Sequence, residues 1–337
     1  MKGEFVFVQT NEAGENRLLA FQRERDGRLT TRAAVATGGR GDGIPHLTSQ
    51  GSVVLTSDGE HVLVTNAGSS DVSVLSAGAM PEVMAVVPSG GEAPKSVAEH
   101  DGLVYVLNSG DAALSGFTLS DGKLGAVPSS RRELGEGADP AQVGFTPDGA
   151  AVVVTDRGSN AIVVYPVGAG GLLGDPSSTM SAGPTPYGFA FAAGGTLVVT
   201  EAFGAAKGKA AASSYRLHGS AVEPVTESVG NGRSEICWAV ASADGRHVFT
   251  TNFADGAVSR YKVAADGTLS LVAAVAATAV EGQPGLRDED ISGDGRFLYA
   301  LDADAGRIFA WRVDDGNLEP AGSWNGLPAT VAGLAAS

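Results

Sequence analysis

One unit of strands and turns recurs along this chain. The segment SDGEHVLVTNAGSSDVSVLS from Ser57 combines an Asp-Gly turn, a β-rich run, a polar turn and an alternating polar-apolar run. Its turn position recurs roughly every 43 to 50 residues, at Asp58, Asp101, Asp148, Gly194, Asp244 and Asp294. A less regular copy, KGEFVFVQTNEAGENRLLAFQ, begins at Lys2 and brings the number of copies to seven. This period, with about four strands in each repeat, is typical of a β-propeller.

The repeat predicts an all-β fold. We expect one domain over residues 1–337, a seven-bladed β-propeller with four-stranded antiparallel blades. The first copy has no innermost strand before Lys2, whereas LPATVAGL over Leu327–Leu334 resembles the start of the other innermost strands. We therefore predict that this C-terminal strand pairs with the strand Lys2–Val8. That pairing closes the ring and protects its last sheet edge.

Aligning the innermost strands on their turns predicts what lines the central channel. Successive side chains of a strand point to opposite faces. Bulky residues such as Val53, Val143 and Phe189 should pack between blades. The small or polar set should line the channel, at Ser52, Lys95, Gln142, Gly188, Trp238, Asp288 and Thr330, and two residues later at Val54, Val97, Gly144, Ala190, Val240, Asp290 and Ala332.

Composition narrows the classes of function. The formal net charge is −15, so we expect no nucleic-acid partner and no binding to an anionic membrane. Cys237 is the only cysteine, and it is interpreted as a buried, inert thiol in a reducing compartment. The N-terminus lacks a secretory pattern and no run reaches membrane-spanning length. We expect a cytoplasmic monomer that acts on a small molecule. No spacing of ligands indicates a metal, and no cofactor is predicted.

Several residues are candidates for the site. His46 lies in the loop before the second blade, and it is the one histidine expected on the ligand-binding end of the ring, which makes it a candidate acid-base. Tyr187 and Trp238 could form an apolar wall, with core packing as the alternative.

Asp288, Glu289 and Asp290 lie in a strand and require partners. The available cations are Lys95, Arg233 and Arg287. A structural ion network is the alternative to a functional site there.

A polar residue follows the second strand of each copy, at Asn11, Asn66, Asn108, Asp156, Glu201, Asn252 and Asp302. Asparagine and aspartate at these positions fit local turn chemistry. Glu201 is the exception, because glutamate is a poor turn former. We place it at the rim of the channel, beside the long loop from Phe203 to Ser213. That loop is interpreted either as a flexible insertion or as a mobile lid.

The motifs resemble those of a known family. IPHLTSQGSVVLTSDG from Ile44, DPAQVGFTPDG from Asp139 and SADGRHVFTTN from Ser242 are similar to segments of the lactonase-type seven-bladed propellers. That family groups with propeller 6-phosphogluconolactonase and the carboxymuconate-lactonizing cyclase. The resemblance implies His, Arg and Glu in a central channel, roles that His46, Arg287 and either Glu201 or Glu289 could fill.

The resemblance and the residues together predict a lactone hydrolase. Its substrate would be a small, anionic lactone, with His46 as the base and Arg287 and Lys95 holding the anion. Gln142, Tyr187, Trp238, Asp288 and Glu289 would complete the binding site. The alternatives are a non-catalytic propeller that binds a ligand or protein on its top face, and a lactonizing cyclase or isomerase.

Overall fold

Seven antiparallel sheets form a closed ring in the computed structural model, which describes residues 4–44, 50–280 and 282–337. Each innermost strand contacts the innermost strands of the two neighbouring blades, and this series of contacts returns to its start. The predicted seven-bladed all-β propeller with four-stranded antiparallel blades is confirmed. In the part of the chain that the structure describes, no helix is long and apolar enough to cross a membrane.

The strands follow the chain blade by blade. Blade I has the outer strands β1 (Phe5–Gln9), β2 (Arg17–Arg23) and β3 (Leu29–Ala36). Blade II contains β4 (Val53–Leu55), β5 (His61–Asn66), β6 (Asp71–Ser76) and β7 (Val83–Pro88). Blade III contains β8 (Pro94–His100), β9 (Leu103–Asn108) and β10 (Ala113–Ser120), with β11 (Lys123–Ala126) and β12 (Arg132–Glu133) both paired to β10.

The remaining blades are regular. Blade IV contains β13 (Pro140–Phe145), β14 (Ala151–Asp156), β15 (Ala161–Pro166) and β16 (Ser177–Met180). Blade V contains β17 (Pro186–Phe191), β18 (Leu197–Glu201), β19 (Ala211–His218) and β20 (Ala221–Gly230). Blade VI contains β21 (Ile236–Ala241), β22 (His247–Asn252), β23 (Ala257–Val263) and β24 (Leu269–Thr278). Blade VII contains β25 (Leu286–Ile291), β26 (Phe297–Asp302), β27 (Arg307–Asp314) and β28 (Asn317–Asn325), and β29 (Ala332–Ala336) is the innermost strand of blade I.

A hydroxyl-carboxylate network shapes the turns between first and second strands. Thr56 donates to Asp58 over 2.6 Å and accepts the His61 backbone N–H over 3.0 Å. The same hydroxyl-to-aspartate bond recurs at three further turns, in the pairs Thr146–Asp148, Ser242–Asp244 and Ser292–Asp294. Gly59 follows Asp58 with φ +67°, a conformation that side chains disfavour. The repeated Asp-Gly signal is therefore a self-contained turn on the lower face of the ring, which is the end opposite the starts of the innermost strands.

The hydrophobic core is divided among the blade interfaces. Among the described residues, seven apolar clusters each join two consecutive blades. The predicted bulky set lies there, since Val53, Val143 and Phe189 face blades I, III and IV respectively. Val97 was expected in the channel, but it packs between blades II and III. The hairpin of blade III is two residues shorter than that of blade II, and one of the two is missing before Asp101, so an alignment on Asp101 shifts this strand by one position.

The C-terminal strand closes the ring as predicted, with different bounds. Strand β29 runs antiparallel to β1, and Val6 faces Ala336 while Phe7 faces Ala335. It begins at Ala332 rather than at residue 327, and its partner begins at Phe5. Lys2 lies outside the described residues.

Candidate active site at the channel mouth

The innermost strands of blades III to VII each begin with a bulge, and these bulges build the upper end of the channel. The first residue of each of these strands pairs with the last residue of the second strand, and the ladder then skips. Such bulges change the direction of side chains and often lie beside functional sites. The residues that directly follow those first residues form what we call the mouth ring: Lys95, Ala141, Tyr187, Cys237 and Arg287.

An aromatic cluster occupies the centre of this end. The rings of Tyr187 and Trp238 lie 5.0 Å apart between centroids, and both side chains are buried. Phe253, at the end of β22, packs against the same cluster. This arrangement fits both the predicted apolar wall and its alternative, core packing, so the wall stays a prediction. The Nε1 atom of Trp238 is buried and has no hydrogen-bond partner among the described residues.

A guanidinium group stacks on each end of the aromatic cluster. The Arg157 guanidinium carbon lies 4.8 Å from the Tyr187 ring centroid, and Nη1 donates to the Tyr187 hydroxyl over 3.1 Å. The Arg287 guanidinium carbon lies 4.6 Å from the Phe253 ring centroid, and Nη2 pairs with Asp304 over 3.1 Å. Such contacts attract a cation to the face of an aromatic ring.

The two arginines differ in the donors that remain. Nη2 of Arg157 pairs with Asp139 over 2.6 Å, which, with the Tyr187 hydroxyl, occupies both terminal nitrogens. Nε and Nη1 of Arg287 are buried and lack a hydrogen-bond partner within residues 4–44, 50–280 and 282–337. Buried donors of this kind are costly unless a ligand or solvent satisfies them. Arg287 is therefore the stronger candidate for holding an anion.

Lys95 is the third cation of the mouth. Its side chain is buried, with 4% relative exposure. Burial and the nearby Arg157 lower the pKa of Lys95 to about 8, against the opposing influence of Asp139 and Asp156. The ammonium is therefore charged at pH 7, and a sizeable fraction of it is neutral one pH unit higher. Cys237 lies in the same ring, but burial raises the pKa of its thiol to about 12, which matches the inert role predicted for it.

A glutamine divides the channel below this cluster. Gln50 precedes blade II, yet its side-chain amide bonds to the backbone of Ala239 in blade VI. The amide nitrogen donates to Ala239 O over 2.8 Å, and the amide oxygen accepts from Ala239 N over 3.1 Å. Ser96 of blade III donates to Gln50 O over 2.6 Å. Blades III to V separate Gln50 from Ala239 on one side of the ring, and blades VII and I on the other. The Gln50 side chain therefore spans the lumen.

A second cavity of about 380 Å³ lies on the lower side of Gln50. Its lining comes from β4, β8, β13, β25 and β29 and includes Gln142, Asp288 and Asp290. The sequence placed Gln142 and Asp288 in one site with Lys95, Tyr187, Trp238 and Arg287. The structure instead separates the two groups, because the segment at Gln50, which the repeat pattern did not predict to enter the channel, lies between them.

The acids of β25 do not pair with the mouth cations. Asp288 accepts from Leu334 N over 3.0 Å and Asp290 accepts from Ala336 N over 2.8 Å, so both hold the closing strand β29. Burial raises the pKa of Asp288 to about 8 and that of Asp290 to about 6. An ion network of these acids with Lys95 and Arg287, one of the two alternatives, does not form among the described residues. Of these two cations, Arg287 pairs with Asp304 instead.

Glu289 points to the other face of the same strand. It faces Ala300 in the ladder, as Val53 faces Val64 and Val143 faces Val154, so it occupies an apolar position of the blade interface. Both carboxyl oxygens are buried and have no hydrogen-bond partner in the described part of the chain. Burial, with Asp288 and Asp290 nearby, raises the pKa of Glu289 well above its usual range. This burial favours the neutral, protonated form of Glu289.

Glu201 is not at the rim of the channel. Its side chain is fully buried and its carboxylate accepts bonds from Gly183 N over 2.9 Å, from the Ser228 hydroxyl over 2.7 Å and from the Ser213 hydroxyl. Burial raises its pKa despite these donors. The glutamate closes the turn of blade V as asparagine does in other blades, for example Asn66 with Asp71 and Ser73. His46, the predicted base, lies outside the described residues, and its role stays a prediction.

Sequence reasoning missed two residues of the site. Arg157 follows Asp156 in a turn that the repeat alignment assigned to local chemistry, although no other of these turns has an arginine directly after its polar residue. Asp139 precedes the first strand of blade IV and holds that arginine. Within the described residues, no group of three or more histidine, cysteine, aspartate or glutamate side chains could hold a metal ion.

Comparison with known proteins agrees with this architecture. Residues 200–329 match the model of a family described as lactonase, seven-bladed beta-propeller. The resemblance to the lactonase-type propellers is confirmed. No curated protein matches this chain.

Solved structures resemble this chain over nearly its whole length. A candidate 6-phosphogluconolactonase from Bacteroides fragilis has a TM-score of 0.76 at 17% identity, covering 99% of this chain and 98% of its own. The periplasmic gluconolactonase PpgL of Pseudomonas aeruginosa has a TM-score of 0.74 at 16% identity, with coverage of 99% and 98%. A Lactobacillus plantarum protein has a TM-score of 0.76 at 17% identity, covering 100% of both chains. At such identities the likeness concerns the fold.

Proposed function

We propose that this protein hydrolyses a small lactone that carries an anionic group and binds at the channel mouth. One observation carries the proposal: stacked guanidinium groups, Arg157 and Arg287, flank a buried aromatic cluster, and Arg287 has buried donors without protein partners. An apolar surface with a few convergent polar groups is the usual form of a small-molecule site.

Each part of the mouth has a chemical task in this proposal. The aromatic cluster accepts the apolar face of the lactone ring. Nε and Nη1 of Arg287 donate to the carboxylate or to the oxyanion that develops when water adds to the carbonyl carbon. The ring C–O bond then breaks and the ring oxygen takes a proton, which gives a hydroxy acid. The Lys95 ammonium adds positive charge at neutral pH. His46 is the predicted base for the attacking water.

The comparisons support a lactonase-like activity without naming a substrate. The matched family is described as lactonase, and two structures of the same fold are described as 6-phosphogluconolactonase and gluconolactonase. Propellers host several chemistries, so the proposal depends on the mouth rather than on the fold. PpgL is described as periplasmic, and the cytoplasmic location of this chain stays a prediction.

Hydrolysis of a panel of lactones, with and without a carboxylate or phosphate, tests the proposal. We expect turnover of an anionic member, and we expect Arg287→Ala to lower its kcat/KM by about a hundredfold, which corresponds to about 3 kcal/mol of lost charged hydrogen bonding. Arg287→Lys should recover only part of this, since lysine lacks the planar fork that stacks on Phe253. Arg312→Ala is the matched control, because Arg312 is an exposed arginine of the same blade, paired with Glu319.

Two results contradict the proposal. The first is the absence of turnover for every anionic lactone; saturable binding without turnover would then identify a non-catalytic ligand-binding propeller. The second is an Arg287→Ala variant that retains full kcat/KM and folds normally. His46→Ala should reduce kcat while the melting temperature stays nearly unchanged. A variant that keeps full turnover removes His46 from the mechanism.

A further inference from the structure

Lys95 is an unusual lysine for its position. Its side chain is buried to 4% relative exposure on the mouth ring, and no hydrogen-bond acceptor for its ammonium occurs among the residues that the structure describes. Lysine is almost never fully buried without a partner. Lactone hydrolysis as proposed above needs only the charge of this group, which an exposed lysine or arginine could supply.

The groups around Lys95 all belong to blade IV. The Arg157 guanidinium is a second cation next to it, and that guanidinium is held in place by Asp139 and the Tyr187 hydroxyl. Asp156 and Asp139 are the acids that act on Lys95, and both already accept other hydrogen bonds. Asp156 accepts from the Ser159 hydroxyl and from Asp139 N, and Asp139 accepts from Arg157. An amine that is desolvated and beside another cation is the environment in which lysine becomes a nucleophile.

We propose that Lys95 is a nucleophilic amine that forms an imine with small oxo acids at the channel mouth. The neutral Nζ adds its lone pair to the carbonyl carbon, and the carbonyl oxygen takes a proton to give a carbinolamine. The carbinolamine loses water and leaves a protonated imine, with no change in oxidation state. The Arg157 guanidinium, the cation that acts on Lys95, adds positive charge for the carboxylate of the oxo acid.

Burial increases the fraction of Lys95 that is neutral, and this fraction sets the expected rate of imine formation. At about pH 8 roughly half of Lys95 is neutral, whereas fewer than about one in a hundred ordinary lysines with a pKa of about 10.4 are neutral at that pH. Lower basicity makes an amine a weaker nucleophile and offsets part of this gain. We therefore expect Lys95 to react about ten times faster than an exposed lysine.

Reductive trapping tests the proposal on the whole protein. Glyoxylate and cyanoborohydride are added at about pH 8; the reagent delivers hydride to the imine carbon and leaves a stable secondary amine. Peptide mapping by mass spectrometry then compares the initial rate at Lys95 with that at Lys262, an exposed lysine of blade VI. Lys95→Arg should remove the fast adduct, and Lys262→Arg should keep it. Unfolding in urea should make the two sites equal.

The trapping rates can overturn the proposal in three ways. A rate at Lys95 no greater than at Lys262, or no adduct on Lys95 while other lysines react, overturns the proposal. An advantage that persists in urea also overturns it, because the cause would then be local sequence rather than the fold. These readouts need no lactone, so failure of the proposed hydrolysis and failure of imine formation are distinguishable. If Lys95→Arg fails to fold, the comparison of sites in the unmodified sequence still decides.

Discussion

Replacing Glu289 with valine should stabilise the protein. Its position is occupied by Val53, Val97 and Val143 in blades II to IV, where each contributes to an apolar blade interface. At Glu289 the interface instead contains a carboxyl group with both oxygens buried and without a partner among the described residues. A buried polar group without a hydrogen bond costs about 1–3 kcal/mol.

Ionisation adds a second cost that depends on pH. The pKa of Glu289 is raised in the folded state, so its contribution to stability is complete below the unfolded-state pKa of about 4.3 and is lost as the pH rises toward the folded-state value. This loss grows with pH as the buried carboxyl is forced to ionise. Part of the gain in the variant is offset by the smaller volume of valine. We expect a net gain of about 1–3 kcal/mol, the cost of a buried polar group without a hydrogen bond, and we expect the gain to increase with pH.

Urea unfolding near pH 4 and near pH 8 measures the effect. The Glu289→Val advantage should be small at the lower pH and largest at the higher pH. Glu289→Gln should flatten the pH dependence to the same degree but stabilise less, because a buried amide also needs partners. Val143→Glu, at the equivalent position of blade IV, is the matched reverse control and should destabilise. If Glu289→Val lowers the free energy of unfolding near pH 8, or if its effect does not grow with pH, then Glu289 has a stabilising partner and the reasoning fails.

Three further predictions concern other parts of the ring. Glu201→Gln should lower the free energy of unfolding by about 2 kcal/mol, since the amide cannot accept all three bonds, and kcat/KM of the folded fraction should not change; a selective loss of kcat would return Glu201 to the catalytic residues. Gln50→Ala should cost about 1–2 kcal/mol through the lost bonds to Ala239, and a melting temperature equal to that of the parent protein would contradict the bridge across the lumen. Deleting residues 332–337 should abolish cooperative unfolding by circular dichroism, because blade I loses its innermost strand; a cooperative transition would show that the ring closes without β29.

The architecture was predictable because propeller blades repeat their turn chemistry. The Ser/Thr-x-Asp-Gly turns carry their own hydrogen-bond network, as at Thr56 and Asp58. The number of residues between successive turns is therefore the length of one blade. Ring closure was predictable from a missing first strand and an unassigned C-terminal one. The predicted register of blade III was wrong, because its hairpin is two residues shorter than that of blade II, and Val97 lies in the core rather than in the channel.

The mouth was only partly predictable, for a geometric reason. The polar interruptions at Lys95, Tyr187 and Arg287 were visible in the aligned strands, but the bulges that place them together lie in the pairing of strands. Sequence also gives no sign that Gln50 reaches across the lumen to blade VI, because that bond joins residues 189 positions apart. Arg157 was the one missed contributor with a local signal, because no other of these turns has an arginine directly after its polar residue.

For the three acids of β25, the alternation of side chains along a strand predicts which face each acid is on but not what that face contacts. Alternation alone places Asp288 and Asp290 on one face and Glu289 on the other. The first face meets the backbone N–H groups of β29, so these two carboxyls replace missing strand-to-strand bonds between blades VII and I. The second face meets an apolar interface and offers no equivalent bond. These three adjacent acids therefore have opposite effects on stability: removal of Asp288 or Asp290 should loosen ring closure, whereas removal of the Glu289 carboxyl should strengthen the blade interface.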